Sequence, residues 1–105
     1  MDMPSAQPLI SIALCTYNGE RYLAEQMHSL MAQTWHHLEI VVVDDNSSDG
    51  TVAMLEAFAQ SDPRIKLHFA KENKGVAFAS NQAISMATGA FVVLLDHDDL
   101  LEPQA

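Results

Sequence analysis

Basic residues are scarce in this 105-residue chain: five Lys and Arg stand against fourteen Asp and Glu, a net charge of −9. That balance excludes a nucleic-acid groove, which needs a cationic stripe, and a polyanion would be repelled. There is one cysteine, Cys15; it cannot form an internal disulfide, and its place in an apolar run predicts a buried thiol. Four glycines are present, but neither G-x-x-x-x-G-K-[ST] nor G-x-G-x-x-G occurs, so the common glycine-rich phosphate cradles are missing. The longest apolar runs, Ile40 to Val43 and Phe91 to Leu95, fall far short of the ~18 residues a membrane span requires. Met1 to Pro8 is short, polar and proline-containing, unlike a secretion signal, and the expected location is cytoplasmic. His36 and His37 lack zinc-site spacing, and Trp35 reads as a core cap. No repeat, low-complexity tract or linker interrupts the chain.

What is present is a regular alternation of two element types. Leu9 to Thr16 is apolar and strand-like, and Arg21 to Gln33 carries Leu23, Met27, Leu30 and Met31 at helical spacing. Leu38 to Val43 is a continuous β-branched run, the pattern of a strand covered on both faces. After the turn-rich D-D-N-S-S-D-G, Val52, Leu55, Phe58 and Ala59 mark a second helical face, ended by Ser61-Asp62-Pro63. Ile65 to Phe69 is a shorter strand. Val76, Ala79, Ala83 and Met86 outline a third helix stopped by Gly89, and Phe91 to Leu95 is a fourth strand. Strands recurring roughly every 25 to 30 residues with helices between them predict an α/β fold, a Rossmann-like and mostly parallel sheet with right-handed crossovers. Residues 1–7 read as a tail and 8–105 as one unit. The closing L-L-E-P-Q-A looks like the first turn of a helix, so the front part of a longer protein is expected.

The chemistry is concentrated where strand four ends, in F-V-V-L-L-D-H-D-D. Ligands of an open α/β sheet bind beyond the carboxyl ends of its strands. Three acids there repel one another, and a hard divalent cation, Mn²⁺ or Mg²⁺, relieves the repulsion and completes its shell with substrate phosphates. Asp96 and Asp98, at i and i+2, fall on one side of an extended chain; His97 points away, and Asp99 with Glu102 has capping-box spacing. The loops Thr16-Tyr17-Asn18-Gly19 and Asp44 to Gly50 converge on the same edge. There Tyr17 offers a flat face to a nucleobase and Asp45 an acceptor for an imide N–H or a ribose hydroxyl. The same loops serve ordinary turns and caps equally well: Asn18-Gly19 as a turn, Tyr17 as packing, and Ser47, Ser48 or Asp49 as a cap for the second helix. Lys71 and Lys74 precede the third helix, where Lys74 could meet a diphosphate or simply be solvated.

Four segments, S-I-A-L-C-T-Y-N-G, L-E-I-V-V-V-D-D-N-S-S-D-G-T, E-N-K-G-V-A-F-A-S-N-Q-A-I-S-M-A-T-G and F-V-V-L-L-D-H-D-D, resemble in order and spacing the nucleotide-sugar-binding half of family 2 glycosyltransferases of the GT-A fold. The final segment, continued by L-L-E-P, is most similar to bacterial surface-polysaccharide enzymes of rhamnosyltransferase type. The resemblance implies a sheet of order 3-2-1-4 and an inverting transfer of a sugar from a nucleotide diphosphate donor, with Mn²⁺ or Mg²⁺ on the leaving group. It further implies that Thr16 and Tyr17 line the base pocket, with Cys15 contributing through its backbone, that Asp45 bonds the base and Asp96 the ribose, and that Asp98 coordinates the metal, with Asp96 beside it. Where many relatives carry a basic residue before the asparagine matching Asn81, Ser80 stands here, leaving Lys74 as the phosphate candidate. In the family the catalytic base and the site for a glycan or lipid-linked acceptor follow the D-x-D segment. No catalytic residue is therefore expected in these residues, nor sugar transfer by them alone, and the full-length protein is expected at the cytoplasmic face of a membrane.

Two alternatives share these residues. A non-catalytic nucleotide-binding fragment needs the same loops, and a receiver-like signalling domain also uses clustered acids, Mg²⁺ and a parallel sheet, although its acids belong after strands one and three. Strand four is further expected to be an edge with unpaired backbone groups, and hence a template for self-association.

Overall fold

Side chains alternate between the two faces of the strands, which sorts the buried apolar residues into two sets, and the helices divide between them. A computed structural model describes residues 8–33 and 37–95. Among these, the order is β1 (Ile10–Thr16), α1 (Glu20–Met31), β2 (Leu38–Asp44), α2 (Thr51–Ser61), β3 (Ile65–Phe69), α3 (Val76–Met86) and β4 (Phe91–Leu95). The four strands form one parallel sheet in the order β3-β2-β1-β4, as the resemblance implied. Each crossover helix starts within a few residues of the preceding strand's end, so all three helix N-termini face the carboxyl edge of the sheet.

Ile12 and Leu14 of β1 and Ile40 and Val42 of β2 pack against Leu23, Met27 and Leu30 of α1 and Leu55 of α2. On the opposite face, Ala13, Cys15, Val41 and Val43 meet Ala79 and Ala83 of α3. The small alanines let α3 lie close to the central strands. Burying one large aliphatic side chain such as Leu55, with no exposed surface, contributes about 1.5–3 kcal/mol. Val76 departs from the expectation that it lies on the inner face of α3, being 57% exposed. It opens the helix directly after Gly75, whose φ of +96° turns the chain sharply, and the inward stripe begins at Ala79.

The predicted boundaries shift by one or two residues at β1, α1 and β2, the usual range for helix and strand ends. Gly89 does not end α3, which stops at Met86; it is required by a close approach. A Cβ there would lie 2.7 Å from the Leu9 carbonyl oxygen and 2.7 Å from Ser11 Oγ. β4 is the edge strand it was expected to be: Phe91, Val92, Val93 and Leu94 are exposed, and Leu95 alone is buried. Trp35 and His36, and the acid cluster from Asp96 onward, lie outside the described residues.

Candidate functional site

Helix N-termini leave backbone N–H groups without intrahelical partners, and this chain meets that demand with side chains from neighbouring loops. None of the three helices is capped by its own N-cap side chain, since Gly19, Gly50 and Gly75 occupy those positions. Instead, Asp49 accepts from the main-chain N–H of Thr51 at 2.9 Å and of Glu20 at 3.3 Å, serving α2 and α1 together. Glu20 answers by accepting from Gly50 N–H at 2.9 Å, and Gly19 N–H donates to Thr51 Oγ1 at 3.0 Å. The cap foreseen on the second helix thus belongs to Asp49. Burial acts to raise the Asp49 pKa, but the hydrogen bonds from Thr51 and Glu20 outweigh it and hold the carboxyl below its ordinary value.

The β1–α1 and β2–α2 loops are further stitched through Asn18. Its side-chain oxygen accepts from Ser48 N–H at 2.8 Å and Asp49 N–H at 3.3 Å, while its own N–H donates to Ser47 Oγ at 2.8 Å. Asn18 holds φ of +47° and Asn46 +64°, left-handed positions that asparagine tolerates better than most residues. Beneath them Asp44, fully buried at the end of β2, accepts from Thr16 Oγ1 at 2.7 Å, Ser47 Oγ at 2.6 Å and Ser47 N–H at 2.8 Å. These bonds leave Tyr17, 44% exposed, at the mouth of a rigid pair of loops. Asn18 was legible in the sequence as a turn residue and Asp44 only as the start of its loop; their bonds across the two loops were not.

Asp45 is 2% exposed, and its two oxygens accept from Lys74 N–H and Gly75 N–H, each at 2.9 Å. Asn73 Nδ2 donates to the Asp45 carbonyl oxygen at 3.2 Å. The residue expected to bond a base therefore also ties the β3–α3 loop to the end of β2. Each carboxylate oxygen retains a second lone pair. Thr16 and Cys15 are buried at the end of β1, with Cys15 opposite Val43 in the ladder. The structure thus brings Cys15, Thr16, Tyr17, Asp45 and the Lys74 backbone to one edge. It sets the Lys74 side chain apart, with Nζ 4.8 Å from the Phe78 ring centroid, in a loop leaving β3. That strand lies three strand spacings, about 14 Å, from β4.

Asp96 and Asp98 fall outside the described residues, and among those described no cluster of His, Cys, Asp or Glu is fit to hold a metal. Leu95 pairs with Leu14 in a parallel register, so β4 runs toward the edge where Thr16 and Tyr17 sit. Carboxylate oxygens following it have the hardness that Mn²⁺ or Mg²⁺ prefers.

An open parallel sheet with its loops and helix N-termini gathered at one edge, in the order β3-β2-β1-β4, is the N-terminal architecture of GT-A glycosyltransferases. The family model described as "Glycosyl transferase family 2" matches residues 11–105, and the chain belongs to that family. Chondroitin synthase of Escherichia coli is 37% identical over 98 residues, covering 93% of this chain and 14% of that protein. Among solved structures, the Pyrobaculum calidifontis mannosyltransferase PcManGT, in complex with GDP-Man and Mn2+, superposes with a TM-score of 0.82 at 34% identity, covering 92% of this chain and 29% of the other. Staphylococcus aureus TarS in complex with UDP gives 0.84 at 33% identity, with 90% and 29% covered. The chain therefore spans less than a third of each of these proteins. Family membership sets aside the receiver-like reading.

Proposed function

We propose that this chain forms the donor-binding part of a glycosyltransferase that moves a sugar from a nucleotide diphosphate to an acceptor hydroxyl with inversion. The observation that carries this reading is the cross-linked pair of loops that presents Tyr17 beside Thr16 and Asp45 at the carboxyl edge, in a family whose solved members include complexes with GDP-Man and Mn2+ and with UDP. Tyr17 stacks on the base, Cys15 lines the pocket through its backbone, Thr16 and Asp45 complete it, and Asp96 takes the ribose. Lys74 contributes through its main chain in the β3–α3 loop, which Asp45 ties to the end of β2. Asp98, with Asp96, holds Mn²⁺ or Mg²⁺, which offsets the charge on a departing diphosphate. No general base belongs to these residues, so the 105 residues bind donor without transferring sugar. The acceptor is a glycan or lipid-linked saccharide met by other parts of the enzyme at the cytoplasmic membrane face. Among the described residues no helix is long and apolar enough to cross a membrane.

Calorimetric titration with UDP, GDP and dTDP, each with and without Mn²⁺, tests this. Binding of one nucleotide that depends on the metal, with the dependence lost in Asp98→Ala, is expected. Equal binding in excess chelator removes the metal role, and no binding of any nucleotide removes the reading itself.

The exposed β4 edge supports a second element of the proposal. Phe91, Val92, Val93 and Leu94 present apolar surface on both faces of a strand that, among the described residues, is paired on one side only, with β1, the form of edge that recruits another chain. The 105-residue chain self-associates there, as a dimer in light scattering that Val93→Lys dissociates; a monomer at high concentration refutes it.

A further inference from the structure

Beside the Tyr17 and Asp45 loops, at the β3 side of the carboxyl edge, the described surface holds a cluster of cations that form no ion pair among the described residues. Of the chain's five basic residues, Arg64 pairs with Asp62 and Lys66 with Glu39. Lys71 and Lys74 form no ion pair among the described residues, and they line a groove of about 340 Å³ together with His68, Phe78 and Gln82. Glu72 lines it too but bridges neither lysine. The Lys74 ammonium rests over the Phe78 ring at 4.8 Å, an interaction of roughly 0.5–1 kcal/mol at an exposed site. That contact biases the charge toward the groove.

We propose that this groove binds an anionic group carried on a body of monosaccharide size, a phosphate or carboxylate sugar, at a subsite separate from the nucleotide. Three features support it. The volume lies at the lower end of small-ligand sites, roughly 300–1,000 Å³. The lining combines two ammonium groups and an imidazole for the anion, a Gln82 amide for hydroxyls, and the Phe78 ring as an apolar wall. In a chain of net charge −9, whose overall field disfavours anions, two lysines against the single Glu72 leave this concavity net positive, a local exception. The separation from the nucleotide edge is also geometric. Cys15, Thr16, Tyr17 and Asp45 do not line the groove; Asp45 holds the main chain of Lys74 and Gly75, while the Lys74 side chain turns to Phe78.

The test is NMR titration of the 105-residue chain with glucose 6-phosphate, glucuronate and neutral glucose at matched ionic strength, without nucleotide or metal, so that it does not depend on the donor-binding proposal. Shifts at Lys71, Lys74, Phe78 and Gln82 with a charged sugar and none with glucose are expected, and preference between the two charged sugars assigns the anion as phosphate or carboxylate. Lys71→Glu, at an exposed loop position, is expected to weaken binding at least tenfold with the remaining spectrum preserved. Unchanged affinity in that variant, shifts centred on Tyr17 and Ser47, equal binding of glucose, or no binding of either charged sugar overturns the proposal.

Discussion

The two ends of the sheet use the same chemistry to opposite ends. At the carboxyl edge, Asp44, Asp45, Asp49 and Glu20 accept mostly from main-chain N–H groups of neighbouring loops, and the result is a pre-set surface with Tyr17 exposed upon it. At the amino edge a single carboxylate, Glu39, is 2% exposed and accepts from Ser11 Oγ at 2.6 Å, Thr88 N–H at 2.8 Å, Thr88 Oγ1 at 2.9 Å and Lys66 Nζ. Ser11 Oγ in turn accepts from Gly89 N–H at 2.9 Å. This cluster joins β1, β2, β3 and the α3–β4 turn, and the carboxylate at its centre is closed to a ligand. One end spends its carboxylates on tying down loops that still face solvent, the other on locking four segments together. On the proposed function, stability and binding fall at different ends, and substitutions are expected to separate them.

The largest effect is expected at Glu39. Replacement by alanine strands the buried Ser11 hydroxyl, frees the Thr88 donors and costs about 3 kcal/mol, less than a fully buried pair because Lys66 is half exposed. Denaturant unfolding measures the loss, while nucleotide affinity of the folded fraction stays unchanged. The pH dependence has a definite sign. Burial pushes the Glu39 pKa up, but the hydrogen bonds from Lys66, Ser11 and Thr88 prevail and lower it to about 2 from 4.5. A group with a depressed folded pKa stabilises above its unfolded value, and that contribution is lost as pH falls through the folded value. The wild-type chain therefore loses on the order of 2–3 kcal/mol between pH of about 4.5 and about 2 through this residue, and Glu39→Gln removes that part of the acid slope.

A smaller loss is expected from Gly89→Ala, which forces a methyl against the Leu9 carbonyl and Ser11 Oγ. Because one of these is backbone, the turn must shift, at about 1–3 kcal/mol. Thermal unfolding should show the loss, again with nucleotide affinity intact. The comparison inverts at Asn18. Asn18→Ala removes the acceptor for Ser48 and Asp49 N–H and strains the left-handed backbone, costing about 1 kcal/mol. Its nucleotide affinity should fall more than stability alone explains, because the loop carrying Tyr17 loses its tether. Asn18→Gly relieves the backbone strain but not the tether, so a recovery of affinity in that variant would refute the positioning role.

Much of this architecture was readable from residue order. The apolar runs at Leu9–Thr16, Leu38–Val43, Ile65–Phe69 and Phe91–Leu95 announced the strands, and the 3.6-residue spacing of Leu23, Met27 and Leu30 announced α1, because burial on one face or on both imposes those periods. The four motifs were enough to place the chain in its family and to name the strand order. Glu39 was passed over, although a lone acid inside L-E-I-V-V-V is itself a signal that something meets it. What meets it is Thr88, 49 residues away, and pairing at that separation is not encoded in any local pattern.

The sequence by itself determined the element types, the parallel sheet and the edge at which the loops gather, since these follow from hydrophobic period and crossover handedness. Only the tertiary structure decided what each carboxylate does. It put Asp45 on the Lys74 and Gly75 main chain, Asp49 across two helix N-termini, Glu39 beneath Thr88 and the Lys74 ammonium on Phe78. The physical reason is that a carboxylate is satisfied by whichever donors the fold brings within hydrogen-bond reach, and those donors come from segments distant in the chain.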